Sequence, residues 1–269
     1  MGNIVTLPIE SMADAFSVKG KNVVITGGNR GIGLGISTAF AQCGANVAIL
    51  CRNEASGKSV ADSYVKYGGR YLCIKTDIAE KNSVTEAALR VYEFFDNVDV
   101  LVNNAGVAGT HNFFTPEGQD EWQKVIGTNL FGTANVLYSI VPRMKESGRG
   151  GSIINISSVG GQRVSGSKEH DNSAYNASKA AIDIFTRYLA VTLGDYGLRC
   201  NAIAPGPTHS DLDADLPAGF FEVVNNTLPT HRFGEGIEIG ALCVFLASPA
   251  GVQVTGTVIP HDGGLLTVV

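Results

Sequence analysis

The chain has 269 residues, 44% of them hydrophobic and 17% charged, with a formal net charge of −5. That composition supplies a packed core and excludes a disordered chain. The acidic balance, with no basic run, argues against nucleic acid or an anionic membrane surface as partner.

The first 17 residues read as a polar tail without the basic-then-apolar order of a secretory signal. Its start, Met1-Gly2-Asn3-Ile4-Val5-Thr6, also fits the loose pattern for N-myristoylation. From about residue 21 short apolar runs alternate with longer helical patterns. Strands are expected over 22–26, 46–50, 71–75, 98–102, 152–156, 199–202 and 257–259, and helices over 33–42, 58–67, 84–95, 122–145, 174–193 and 237–247. The runs are rich in Val and Ile with little polar alternation, as in strands covered on both faces. This order predicts an α/β fold: a Rossmann-type, doubly wound parallel sheet of about seven strands with helices on both faces. One unit over 18–269 accounts for the whole pattern. No apolar run nears the ~20 residues of a membrane span. The five cysteines, Cys43, Cys51, Cys73, Cys200 and Cys243, are scattered, form no metal-ligand cluster and read as small buried hydrophobes in a reducing, cytoplasmic setting.

Along the chain, the first motif is Thr26-Gly27-Gly28-Asn29-Arg30-Gly31-Ile32-Gly33. It follows the first strand and opens a helix. Glycines there let the backbone turn tightly and approach a pyrophosphate seated on the helix N-terminus. The same glycines would also serve a purely structural strand-to-helix turn. Two stretches then break the α/β rhythm, 160–173 and 205–233. Both leave the carboxyl ends of strands, where open α/β sheets bind ligands, and the second has the length of a substrate lid. Between them Tyr175 and Lys179 share a helix face at i, i+4. A free phenol titrates near pH ~10, and an ammonium beside it favours the phenolate.

TGGNRGIG, NNAG at 103–106, the NISS strand end, YNASK and Pro205-Gly206 occur in this order. Together they resemble the short-chain dehydrogenase/reductase family over nearly all of 16–264. The resemblance implies an NAD(P)-dependent oxidoreductase for a small-molecule alcohol or ketone. By that resemblance Tyr175 is the acid/base. Lys179 holds the nicotinamide ribose and lowers the tyrosine pKa. Ser158 orients the substrate oxygen, with Ser157 as the alternative, and the Asn129 backbone anchors a relay water. Gly27, Asn29, Arg30, Gly31, Ile32 and Gly33 belong to the cofactor cradle, Asp77 and Ile78 to the adenine contact, and Asn104 to the adenosine ribose. Pro205, Gly206, Thr208 and Ser210 belong to the nicotinamide end, where the family usually has Ile and Thr at the last two. No metal is expected.

NAD enzymes of this kind end the second strand with a carboxylate for the ribose 2′-hydroxyl. This chain has Cys51 followed by Arg52. Arg52 and Arg30 are therefore read as a clamp for the 2′-phosphate of NADP, in preference to NAD. The alternative is that Arg52 caps the next helix and faces water. The stretch between Ser158 and Tyr175 is longer than the family usually shows, and its extra residues include Lys168, Glu169, His170 and Asp171. They are either a solvated tip or a polar substrate rim. The chain looks most like sugar and polyol (gluconate, sorbose, mannitol) dehydrogenases, while Leu212, Leu216, Phe220 and Phe221 would equally suit a hydroxysteroid or another bulky ketone. A non-catalytic nucleotide-sensing protein is the different-class alternative. The family also implies a homo-oligomer, tetramer or dimer, formed through the two long helices.

Overall fold

The apolar runs alternate their side chains between two sheet faces, and both faces are covered. Val23 and Ile25 point to one side, into a core with Ile36, Phe40 and Ile239; Val24 points to the other, into a core with Val91, Val136 and Ile140. A strand buried on both sides must satisfy its backbone within the sheet, which favours a continuous parallel ladder. The computed structural model describes residues 9–164, 171–210 and 219–268, and nothing of the Phe220 side chain. It contains one seven-stranded parallel sheet in the order β3-β2-β1-β4-β5-β6-β7.

The strands are β1 (Asn22–Thr26), β2 (Asn46–Cys51), β3 (Tyr71–Lys75), β4 (Val100–Asn103), β5 (Gly151–Ile156), β6 (Leu198–Pro205) and β7 (Val258–His261). The helices are α1 (Met12–Ala15), α2 (Gly31–Gln42), α3 (Glu54–Ser63), α4 (Lys81–Phe94), α5 (Pro116–Ile126), α6 (Thr133–Glu146), α7 (Ser173–Leu193), α8 (Phe220–Thr227), α9 (Gly236–Ala247) and α10 (Leu265–Val268). Strand order reverses between β1 and β4, which opens a crevice above their carboxyl ends.

Several boundaries differ from expectation, each for a local reason. β4 starts two residues late because Asp99 is held by side-chain and backbone bonds to Asn22 (2.8 and 2.9 Å) ahead of the ladder. α3 starts four residues early because the Asn53 side chain accepts the Ser56 N–H and caps it. The expected helix over 122–145 is longer, running from Pro116 to Glu146 with a π-helical turn, Gly127–Gly132, in its middle. α8 forms inside the expected lid, whose residues Leu212 and Leu216 lie outside the described residues. Cys43, expected to be buried, is exposed at the end of α2; the other four cysteines are buried. Within the stretch read as a tail, α1 is capped by Ser11 and Phe16 packs on Phe245 at 6.1 Å. The myristoylation-type start lies outside the described residues. Among the described residues no helix is long and apolar enough to cross a membrane.

Candidate active site

The β1 end of the crevice is made of backbone. Gly27 (φ 67°) and Gly31 (φ 48°) take left-handed conformations that L side chains disfavour. A Cβ on Gly33 would fall 2.1 Å from the Gly27 carbonyl oxygen, so the turn closes only around a missing side chain. α2 begins here, and the residue ahead of it, Arg30, makes no side-chain cap. Its first-turn amides are therefore left for an anion, as a phosphate site requires. Asn104 pins the turn to β4: its side-chain amide donates to the Thr26 and Gly27 carbonyls (3.0 and 3.3 Å). Thr26 Oγ1 in turn accepts the Asn104 and Ala105 N–H groups, both at 3.0 Å. Asn29 donates to Ser56 Oγ at 3.1 Å, tying the turn to α3.

Arg30 and Arg52 are exposed on the same flank. Neither side chain makes a hydrogen bond or ion pair among the described residues, and α3 is capped by Asn53, not Arg52. Asp77, after β3, accepts the Ala79 N–H at 3.0 Å. Ile78 is buried where Gly132 leaves room for it, with its carbonyl held by Asn135 at 3.1 Å. At the far end, the Gly206 N–H donates to the His261 carbonyl and Thr208 Oγ1 to the Gly206 carbonyl (3.1 and 3.0 Å). Ser210 lies over the glycine turn, 3.6 Å from where a Gly31 Cβ would stand. Next to it the His209 ring stacks on Phe221 and Phe233, centroids 5.6 and 5.1 Å apart.

The β5 side is made of side chains. β5 ends at Ile156 and delivers Ser157 and Ser158 to the first turns of α7. The Ser158 hydroxyl faces the Tyr175 phenol and accepts the Gly160 N–H at 3.1 Å. Ser157 Oγ turns away, to the Lys179 carbonyl at 3.3 Å. Lys179 is 5% exposed; its Nζ donates to the Ile156 carbonyl at 2.8 Å and lies 5.5 Å from the Tyr175 ring centroid. Asn129 stands behind it on the π turn. Its side chain donates to the Val107 carbonyl and Ser178 Oγ (2.9 and 3.0 Å) and accepts the Val107 N–H at 2.8 Å. That leaves its side chain fully used in shaping the site. Ser178 Oγ donates to the Tyr175 carbonyl at 2.7 Å, so Asn129 is linked to the tyrosine turn.

Burial dominates the electrostatics. It draws the Lys179 ammonium down to about 8, with Asp183 opposing. It pushes the Tyr175 phenol up, against the Ser158 hydrogen bond. The net shift of the phenol in this structure is thus upward, because desolvation outweighs the Ser158 hydrogen bond, while the Lys179 ammonium beside the ring bonds the Ile156 carbonyl.

Asp171, from the lengthened stretch, accepts the Phe113 N–H (3.0 Å) and the Ser173 N–H (2.7 Å); the Ser173 hydroxyl first, then these two N–H groups, hold its carboxyl below the usual range. Trp122 Nε1 donates to Ser173 Oγ at 3.1 Å. The loop after β4 is thereby strapped to the start of α7. It presents His111, ion-paired to Glu121 at 2.9 Å, and an aromatic group in which Phe113 meets Phe114 and Trp122 edge-on, with Phe114 88% exposed. Lys168, Glu169 and His170 lie outside the described residues. The motifs did not single out Trp122, Ser178 or Asp183, although the i, i+4 spacing of Asp183 from Lys179 was there to be read. Among the described residues no group of His, Cys, Asp or Glu is placed to hold a metal ion.

Comparison with known proteins agrees with this arrangement. A family model described as enoyl-(acyl carrier protein) reductase matches residues 12–266. The 3-oxoacyl-[acyl-carrier-protein] reductase FabG of Thermotoga maritima is 33% identical over 249 residues, 93% of this chain and 99% of the relative. A short-chain type dehydrogenase/reductase from Mycobacterium marinum superposes with a TM-score of 0.88 at 30% identity, covering 95% of this chain and 99% of that one. A gluconate 5-dehydrogenase from Burkholderia cenocepacia, solved with NADP and tartrate, gives 0.88 at 31% identity over 96% of this chain and 100% of its own.

Proposed function

Because the chain belongs to the short-chain dehydrogenase/reductase family and is an NAD(P)-dependent oxidoreductase, we propose that it interconverts a secondary alcohol and a ketone with NADP(H), on a sugar or polyol. The observation that carries this reading is the Ser158–Tyr175 hydroxyl pair set beside the buried Lys179. The cradle suits a dinucleotide: its first-turn amides have no side-chain cap, and its turn closes tightly only because Gly33 has no Cβ to strike the Gly27 carbonyl. When bound, the nicotinamide supplies or accepts the hydride.

The protein's own residues do the rest. The turn from Gly27 to Gly33, with Asn29 and Ile32, holds the pyrophosphate, Asp77 and Ile78 border the adenine, and Asn104 fixes the turn against its ribose. Pro205, Gly206, Thr208 and Ser210 border the nicotinamide. In reduction Ser158 donates to the substrate oxygen while Tyr175 hands over its phenolic proton. A phenol pushed up by burial is fully protonated at neutral pH, as an acid must be. Lys179 stabilises the phenolate left behind and holds the ribose hydroxyls, and the Asn129 main chain anchors the water that returns the proton. The presence of this whole set speaks against a purely nucleotide-sensing role.

NADP is favoured over NAD because β2 ends in Cys51 where a carboxylate would repel the 2′-phosphate, and because Arg30 and Arg52 stand exposed and uncommitted beside it. A sugar or polyol is supported by the polar rim at Asp171, Ser173 and the His111–Glu121 pair, and by the likeness to the gluconate enzyme. The exposed Phe114 with Phe113 and Trp122 supports a second reading, a bulky apolar ketone such as a steroid. Assembly into a dimer or tetramer through the two long helices is supported by Phe131, Tyr138, Ile184, Tyr188 and Val191, each more than 60% exposed on them.

Turnover with NADPH and NADH across sugars, polyols, steroids, simple ketones and oxoacyl thioesters tests the substrate class. Tyr175→Phe is expected to cut kcat by about 10²–10⁴-fold for every substrate, with NADPH binding by fluorescence retained. Near wild-type activity in that variant overturns the mechanism.

A further inference from the structure

Asp183 lies on α7 one turn after Lys179 and one turn before the exposed Arg187. It is 6% exposed, and its Oδ1 has no hydrogen-bond partner. A buried carboxylate with a bare oxygen is costly, and a group kept at such cost calls for a reason. No step of the proposed reaction touches it. The Ser157 hydroxyl faces it from the end of β5 and bonds the Lys179 carbonyl at 3.3 Å. The three residues 156–158 thus each meet α7: Ile156 through Lys179 Nζ, Ser157 through the Lys179 carbonyl and Asp183, Ser158 through Tyr175.

We propose that Asp183 is a positioning residue, the buried counter-charge that holds the Lys179 ammonium on the Ile156 carbonyl and beside Tyr175. This rests on the reading of Tyr175 and Lys179 given above. Lys179 sits where burial disfavours its charge, and among the described residues Asp183 is the group that pulls it back up. Among the described residues the charged groups acting on Asp183 are Lys179 and Arg187 of its own helix, and the turn after β5 contributes the Ser157 hydroxyl. Burial pushes the Asp183 carboxyl up in turn, so each buried charge is tolerated because of the other. An apolar side chain here would strand the ammonium, and an amide would leave it without a counter-charge.

The test replaces Asp183 by Asn, by Ser as a smaller neutral variant in case Asn impairs folding, and by Glu to restore the charge. Lys179 is titrated in the ligand-free protein by 13C NMR of labelled lysine, its resonance assigned by its absence in Lys179→Arg. The pH profile of kcat/KM is measured alongside. In Asp183→Asn the Lys179 resonance is expected to titrate at lower pH. Because one pKa unit is a tenfold change in proton affinity, activity is then expected to fall ~10-fold at pH ~8.5 but less than ~2-fold at pH ~6.5. Asp183→Glu should recover both. A uniform loss at every pH with the Lys179 titration unmoved assigns Asp183 a merely structural role and overturns the proposal, as does an unchanged profile. The titration needs no substrate, so a failure of the proposed reaction is read separately from a failure of this pairing.

Discussion

Two sides of one crevice recognise by different means. At β1 the surface is backbone, shaped by absent side chains: Gly27 and Gly31 in left-handed turns, Gly33 against a carbonyl, a helix start without a cap. At β5 it is side chains, each fixed by another: Ser158 on Tyr175, Lys179 on Ile156, Asn129 on Val107 and Ser178. The first kind of site is damaged by adding atoms and indifferent to most deletions; the second is damaged by deletion. The contrast follows from the ligands. A pyrophosphate accepts any well-aimed N–H, which every residue carries, whereas moving a proton needs a group of one particular acidity.

That contrast can be broken by mutation. The largest effect belongs to the side-chain half, where Tyr175→Phe removes a single oxygen. Next comes an addition on the backbone half: Gly33→Ala is expected to weaken NADPH binding by roughly 5- to 150-fold and to lower Tm, since overpacking costs ~1–3 kcal/mol and ~1.4 kcal/mol is tenfold. Fluorescence titration and thermal melts check it, and wild-type affinity would break the comparison. Arg52 is the exception on that half, a side chain reading a phosphate. Arg52→Asp should lower the NADPH-to-NADH ratio of kcat/KM by roughly 10–100-fold, as expected for charge-assisted bonds of ~1.5–3 kcal/mol. An unmoved ratio in steady-state kinetics removes Arg52 from the cofactor site. The smallest effect is Trp122→Phe, which deletes the bond to Ser173 and leaves the ring. A neutral hydrogen bond worth ~0.5–1.5 kcal/mol limits the change in kcat/KM to about tenfold. A larger loss would mean that the strap, not only the tyrosine turn, sets the geometry.

The sheet was legible because each strand is a short Val- and Ile-rich run between breakers. β1 and β3 lie where the residues place them, at Asn22–Thr26 and Tyr71–Lys75. The start of α3 was missed although Asn53 and Ser56 carry an ordinary cap, because the apolar rhythm begins later. The π turn leaves no mark in residue type: Gly127-Thr128-Asn129-Leu130-Phe131-Gly132 fits an α-helix as well, and only the packing of Asn129 against Val107 and Ser178 reveals it. Which serine meets the phenol is a question of strand pleat, since neighbours face opposite ways. Asp183 escaped notice for a different reason. A carboxylate four residues from a lysine looks like a solvated surface pair until the helix face is known to be buried.

The π turn also makes length itself a constraint. Each α-helical residue advances about 100° around the axis. Dropping one residue from 127–132 would let α5 and α6 join as an ordinary helix, yet rotate one against the other by about that angle. Trp122 would swing away from Ser173, and Val125, now fully buried, would turn toward water. Asn129 could keep its identity and lose its place behind Lys179. What must be preserved along this helix is a phase, and a count of residues holds it more firmly than any one side chain does.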